Sequence, residues 1–442
     1  MRYKKRVAET VGKSTPVLAC AKHSISPSGR LDNASISNNG GFGLVSVTPA
    51  EIRKRLEQNW IRLLAEQALK IPSEPVQGSS PPSVFVGRFG YPKVRVGPML
   101  PTESGDTSLL DTPEMWTGKS IDEIATYRLS LIRGTREVKV NETEGRYIET
   151  LQDLAMSQRP ADSDVVLDKK PATFLALEES DAVLNTAAAP FGPSAPLKQL
   201  TVSPTPADSR IESVYYDGDM NATDAVVRLY RRGLQVSSIS RIISMGMLGA
   251  RKKRKLVPTR WAITATDDMI SKELIAAIHD SPSIDCYEVT SFNHLENTYS
   301  VILIPSEVWS FELVESWFGP DGKAVSASDF ESANGLKHYP STAGAYFAAR
   351  LAVAEHLGRT GRKSAALVLR EIHAGYVMPM GVWQVREGVR QALKFSPETF
   401  GSIEEAISSA TSRHSMSAKE IAMLSKLFSE LKTQTRISSF FG

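Results

Sequence analysis

Ile52, Leu56, Trp60 and Leu64 recur every four residues behind Thr48-Pro-Ala-Glu51, which predicts a capped helix with one apolar stripe. Further along, the period changes to two. In Lys93-Val-Arg-Val96 the valines share one face and the basic residues the other, so this segment reads as the second strand of a hairpin that turns at 87–92. One face of that strand should be buried and the other basic. Polar, Pro-containing sequence over 156–210 predicts an irregular connection. Helical spacing returns at 224–234 and 239–248. The run from Leu256 to the paired acids Asp267 and Asp268 reads as an apolar strand, followed by a helix over 269–278 and a buried strand over 299–305.

Past a loop at 319–334 the pattern turns helical, with segments at 341–357, 363–376 and 382–394. In the last of these Val382, Val385, Val389 and Leu393 form the apolar stripe, and Arg386, Arg390 and Lys394 read as a solvated face opposite it. Ser417-Ala-Lys-Glu420 is a capping box, and Ile421, Leu424, Phe428 and Leu431 carry a helix to about residue 432. The expected fold class is α+β: a mixed α/β N-terminal region with short strands and a hairpin, then a largely helical C-terminal region. Residues 1–30 read as a flexible arm.

Composition narrows the picture only slightly. The 442 residues are 41% hydrophobic and 23% charged, which is ordinary for a globular chain. A formal charge of +3 is close to neutral at this size, so a nucleic-acid surface has to be a local patch. Cys20 and Cys286 are too few for a disulfide framework or a four-cysteine zinc site, which predicts a reducing compartment. No stretch approaches the roughly 20 apolar residues that span a bilayer. A cytoplasmic protein without a membrane partner is expected.

Candidate chemistry begins at the tail. Gln434, Ile437, Phe440 and Phe441 fit the pattern Gln-x-x-aliphatic-x-x-aromatic-aromatic, which resembles the peptide that docks on the sliding clamp PCNA. A 3₁₀ turn would set Ile437 and Phe440 on one side as a plug, with Phe441 beside them and Gln434 at the rim. Nucleic-acid contacts are expected from Arg88, Tyr91, Lys93 and Arg95 in the hairpin, where charge lies beside aromatic stacking surface. The block Arg251, Lys252, Lys253, Arg254 and Lys255, with Arg260 beyond it, offers further phosphate contacts.

Asp267 and Asp268 keep two readings open. Paired carboxylates at a strand end suit proton transfer or metal binding, and acids at the start of a helix suit capping. Only the first reading brings in a divalent metal; no cofactor is otherwise expected. His338, His356 and His373 are 18 and 17 residues apart and show no ligand spacing. Walker-type, G-x-S-x-G and H-E-x-x-H signatures are absent from the sequence.

Three long strings, Gly78-Ser-Ser-Pro-Pro-Ser-Val-Phe-Val-Gly-Arg-Phe-Gly-Tyr-Pro-Lys93, Arg254-Lys-Leu-Val-Pro-Thr-Arg-Trp-Ala-Ile-Thr-Ala-Thr-Asp-Asp268 and Ala343-Gly-Ala-Tyr-Phe-Ala-Ala-Arg-Leu351, resemble the archaeal Nre family. Arg370-Glu371 and Gly381-Val-Trp-Gln-Val-Arg-Glu387 extend the resemblance. It implies a DNA-repair protein with an N-terminal Nre region over 31–318, a C-terminal region over 319–432 and a PCNA-interacting tail at 433–442. Family members often carry an N-terminal cysteine cluster; here only Cys20 and His23 stand there, so no such zinc site is expected. The leading reading is a clamp-recruited repair factor that binds DNA or a repair intermediate. The alternatives are a nuclease or glycosylase using Asp267 and Asp268, and a clamp scaffold that does not touch DNA.

Overall fold

The computed structural model describes residues 76–169, 191–319, 322–376, 378 and 380–438. The arm at 1–30, the capped helix at 48–64, and Phe440 and Phe441 lie outside them. Two six-stranded mixed sheets organise the described chain, in the α+β class.

The first sheet contains β1 (Val76–Ser80), β2 (Val84–Val86), β3 (Lys93–Leu100), β4 (Ile132–Lys139), β5 (Ala161–Leu167) and β6 (Ser194–Val202), in the order β1-β5-β6-β4-β3-β2. Alternation in β3 places Val94 and Val96 inside, with Lys93 exposed and Arg95 half-buried, as the period-two pattern requires. β5 and β6 form where an irregular connection is expected. Ala161, Ser163 and Val165 point inward at every second position, so the alternation is present but is carried by small and polar residues. Helix α1 (Ile121–Leu129) precedes β4, and α2 (Arg146–Met156) follows it. With α3 (Ser209–Tyr215), α4 (Ala222–Arg231) and α5 (Val236–Ser244), α2 covers the valines of β2 and β3 in one core.

Helix α6 (Thr259–Ala277) is the main correction to the sequence reading. The chain over 259–268 is helical, and the helix starts at Thr259 instead of Met269, directly behind Pro258. Ala262, Thr266 and Ile270 recur every four residues and are buried. Asp267 and Asp268 therefore lie mid-helix, at neither a strand end nor a cap. α6 packs on α4 and α5 to one side and on α7 (Gly344–Thr360) to the other.

The second sheet contains β7 (Tyr287–His294), β8 (Asn297–Ile304), β9 (Ser310–Phe318), β10 (Ala324–Glu331), β11 (Ala365–Ile372) and β12 (Glu398–Phe400), in the order β10-β9-β11-β8-β7-β12. β10 replaces part of the expected loop at 319–334, and β11 replaces the expected helix at 363–376. β11 lies between β8, antiparallel, and β9, parallel. All eight of its residues are buried, so its run is apolar without alternation, a pattern that periodicity alone does not separate from a buried helix. Residue 318 is the last residue of β9, which pairs with β10, so the second sheet has strands on both sides of that position.

Helix α7 and α8 (Trp383–Ala392) cover one face of this sheet. The other face is covered by α9 (Ile403–Thr411), α10 (Ala418–Leu424) and α11 (Lys426–Ser438). The single helix expected over 417–432 is broken at Ser425, where buried Glu312 accepts hydrogen bonds from the backbone N–H groups of Lys426 and Leu427, each at 2.9 Å. A carboxylate is thus held against the free N–H groups and positive end of α11.

Candidate nucleic-acid interface

β2 and β3 pair in register, and their turn closes where the Lys93 N–H donates to the Gly90 carbonyl at 2.9 Å. Gly90 adopts φ of 77°, a conformation that a side chain resists. The start of α6 is fastened to this hairpin: the Val86 N–H donates to Thr259 Oγ1 at 2.9 Å. Two rings meet there, one from the hairpin turn and one from the third residue of α6. Tyr91 and Trp261 have centroids 5.3 Å apart and are 50% and 45% exposed. Phe89 stands open beside them with the Arg88 guanidinium 4.7 Å above its ring. Trp261 was not among the expected contact residues, although its position next to Arg260 in the same string was the available signal.

The basic block divides. Arg251, Lys252 and Lys253 form an exposed 3₁₀ turn, and Lys255 is exposed. Arg254 is turned inward: its guanidinium donates to the Gly249 carbonyl at 2.9 Å and the Tyr215 carbonyl at 2.7 Å, and lies 5.1 Å from the Tyr215 ring centroid. Its role is to fix the loop. The chain after it returns to the hairpin, since the Leu256 N–H donates to the Val140 carbonyl and the Val140 N–H to the Pro92 carbonyl. Lys93 makes a loose exposed contact with Glu137 at 3.7 Å, and Arg260 is half-buried.

Asp267 is fully buried, and both its oxygens accept from Arg386 Nη1, at 2.7 and 3.1 Å. Burial pushes its pKa up to about 6, against the opposing pull of Arg386 and Arg390. Asp268 faces another way and pairs with Arg350 and Lys272, each at 2.7 Å. Arg350 in turn reaches Glu331 at 3.0 Å. The two acids are thus split between separate ion-pair networks that tie α6 to α8 and to α7. The Arg386, Arg390 and Lys394 stripe also departs from its expected solvated face. Arg386 is buried on Asp267, Arg390 is clamped by Glu355 and Glu387, and only Lys394 is exposed.

A second constellation has the connectivity of a catalytic relay. His414 Nε2 lies 2.8 Å from Ser300 Oγ, and His414 Nδ1 lies 3.5 Å from Glu371. Ser300 is fully buried in β8 and also bonded to Ser291 Oγ at 2.8 Å, so its oxygen is a packed link between strands. Burial works against the Glu371 carboxylate, but hydrogen bonds from His414 and Ser415 outweigh it and hold the pKa down at about 2. Among the described residues no group of three or more His, Cys, Asp or Glu side chains is placed to hold a metal ion. No described helix is long and apolar enough to cross a membrane.

The tail is described only as backbone, where α11 runs on through Gln434 and Ile437 to Ser438. The helix therefore extends six residues past the expected end at 432.

The two strings joined at the Tyr91–Trp261 contact belong to one kind of protein. Residues 59–320 match the family model for the archaeal Nre N-terminal region and residues 331–440 that for the archaeal Nre C-terminal region. The chain is a member of the archaeal Nre family. It is 40% identical over 339 residues to DNA repair protein NreB of Archaeoglobus fulgidus, covering 75% of this chain and 83% of that one. It is 36% identical over 370 residues to DNA repair protein NreA of the same organism, covering 82% and 89%. The NreA of Haloferax volcanii is also 36% identical, over 383 residues, covering 81% and 89%. No solved structure matches the chain.

Proposed function

We propose that this protein is a DNA-repair factor that holds DNA on the exposed face around Tyr91 and Trp261 and is brought to the PCNA clamp by Gln434, Ile437, Phe440 and Phe441. The supporting observation is the convergence of two strings 170 positions apart in sequence, from Tyr91 to Trp261, on one open pair of rings. Arg88, Lys93, Arg95, Arg260 and the exposed members of the block, Arg251, Lys252, Lys253 and Lys255, supply cations around them. Aromatic faces accept stacked bases, and lysines and arginines neutralise the backbone, so single-stranded or unstacked DNA suits this face. The enzyme reading loses ground because both oxygens of Asp268 are paired and Asp267 is enclosed.

Fluorescence anisotropy with labelled single-stranded and duplex DNA tests the DNA part. Stacking contributes about 1–3 kcal/mol per base, so Tyr91→Ala with Trp261→Ala should weaken single-strand binding about tenfold or more. Lys252→Ala with Lys253→Ala should flatten the salt dependence by about two units of slope at most. DNA affinity that does not change with salt, or an unchanged double aromatic variant, rules this face out. Calorimetry against a PCNA ring tests the tail, with loss of binding expected for Phe440→Ala, Phe441→Ala.

A further inference from the structure

Between the hairpin, α5, the start of α6 and α8 lies a cavity of about 100 Å³ whose wall includes Arg128, Arg241, Arg386, Asp111, Thr259 and Trp383. Three guanidinium groups from three helices, α1, α5 and α8, meet there. Their neighbours account for much of the charge. Arg128 is in close contact with Asp111, and Arg386 pairs with Asp267. Arg241 donates Nε–H to the Ala155 carbonyl at 3.1 Å. Of the two acids that act on Arg241, Glu114 is engaged by the Ser237 N–H at 3.0 Å and the Ser237 hydroxyl at 2.8 Å, and Asp208 pairs with Arg210. Behind Arg128 a fourth guanidinium, Arg133, lies 4.6 Å from the Phe85 ring centroid and donates to the Gly192 carbonyl.

Arg386 lines the cavity and is 2% exposed, and its Nε–H finds no hydrogen-bond partner among the described residues. An unanswered N–H on a buried guanidinium is costly, about 1–3 kcal/mol or more for a charged group, and a water or an anion in the cavity would supply its acceptor. Burial also pulls the pKa of Arg128 down to about 9, with Arg133 adding to it, and that of Arg241 down to about 10, against the opposing pull of Glu114 and Asp208. At about 10–15 Å³ of such volume per water, the space takes several water-sized atoms. That fits a tetrahedral oxyanion with a small substituent and is too small for a whole nucleotide. Guanidinium forks match the spacing of phosphate oxygens.

We infer that this cavity is a binding site for a phosphate group, free or at the end of a phosphate monoester, held between Arg128, Arg241 and Arg386. Such an anion would bridge the N-terminal sheet to α8. The site is separate from the open aromatic face, and the inference stands without the DNA-binding reading.

The test is calorimetric titration of the full chain with inorganic phosphate, with a deoxynucleoside 5′-monophosphate, and with the matching nucleoside and acetate as controls. One phosphate per chain should bind, the monophosphate should compete with it, and the nucleoside and acetate should not. Arg241→Met should weaken phosphate binding about tenfold or more, as expected for losing a charge-assisted contact. Arg386→Met should do the same; because it also breaks the pair with Asp267, Arg241→Met is the variant that keeps the test independent of folding. Lys252→Ala, Lys253→Ala should bind phosphate as the parent does. Absence of saturable binding by the parent, an undiminished Arg241→Met, or loss in the lysine variant instead would each overturn the inference.

Discussion

Arg386 and Asp267 should respond differently to removal of their partner, because only one of them can shed its charge. In Asp267→Leu the guanidinium of Arg386 stays charged and buried, since arginine does not deprotonate in proteins. Breaking a buried pair in this way costs about 3–5 kcal/mol. In Arg386→Met the orphaned carboxylate can take up a proton. Its pKa already stands at about 6 with the arginine in place, against 3.8 for a free aspartate. At pH 7, holding it neutral costs at most about 1.36 kcal/mol for each of the roughly three units between 3.8 and 7, or about 4 kcal/mol.

The pH dependence separates the two variants. A folded-state pKa raised above the unfolded one contributes stability that is fully present below 3.8 and lost as pH rises through about 6. Between pH 7 and 6 the Arg386→Met protein already carries the proton and gains about 1.4 kcal/mol, while the parent reaches only half-protonation at about pH 6 and gains about 0.4 kcal/mol. The deficit of Arg386→Met should therefore narrow by about 1 kcal/mol over that interval, whereas that of Asp267→Leu should not narrow. Urea unfolding followed by tryptophan fluorescence at pH 7 and pH 6 reads both. The double variant Asp267→Leu, Arg386→Met should recover most of the loss. If Asp267→Leu is as stable as the parent, or if the Arg386→Met deficit does not change with pH, the ion-pair account of Asp267 is refuted.

Glu371 has the opposite sign: its pKa is depressed from 4.5 to about 2, so its contribution is present above 4.5 and lost as pH falls through about 2. Glu371→Gln should cost about 3 kcal/mol at pH 7, and the gap from the parent in urea midpoints should begin to narrow below about pH 4.5 and close only near pH 2. Gly97→Ala should cost more than about 2 kcal/mol by thermal unfolding, because the added methyl would sit 1.7 Å from the Gly134 carbonyl oxygen on the neighbouring strand. Arg254→Ala should lower the melting temperature by several degrees, since it withdraws two carbonyl partners and a ring contact, while Lys253→Ala on the exposed turn leaves it within about a degree.

Which parts of this molecule could be read from its sequence follows from how far each signal reaches. The β2–β3 hairpin, α4, α5, α7 and α8 carry their period within ten or so residues, and the structure has them where the pattern puts them. Three errors share a cause in burial on both sides. β11 is apolar throughout and mimics a helix. The α6 segment that contains Trp261, Ile263, Thr264 and Thr266 favours a strand locally, but its buried face follows helical spacing from Ala262 onward. The basic stripe on α8 looks solvated until α6 and α7 supply Asp267 and Glu355. Partners 119 positions apart, as Asp267 and Arg386 are, leave no local trace in one sequence.

That same distance explains what the conspicuous string at 254–268 does as a unit. α6 rises about 1.5 Å per residue, so Trp261 and Asp267 are separated by about 9 Å along one rigid helix. Trp261 faces solvent beside the hairpin, and Asp267 faces α8 across the junction. Thr259, on the first turn, is bonded to β2 and also borders the arginine cavity. A load placed on the aromatic face therefore bears on the element that carries Asp267 and adjoins Arg386. If a phosphate occupies that cavity, its binding should alter the affinity of the Tyr91–Trp261 face by the same factor by which DNA alters the affinity for phosphate, because coupling between two sites is reciprocal. Equal factors, measured by titrating each ligand in the presence of the other, would support a common element in α6. Binding of each that is indifferent to the other would mean that the helix holds two independent sites.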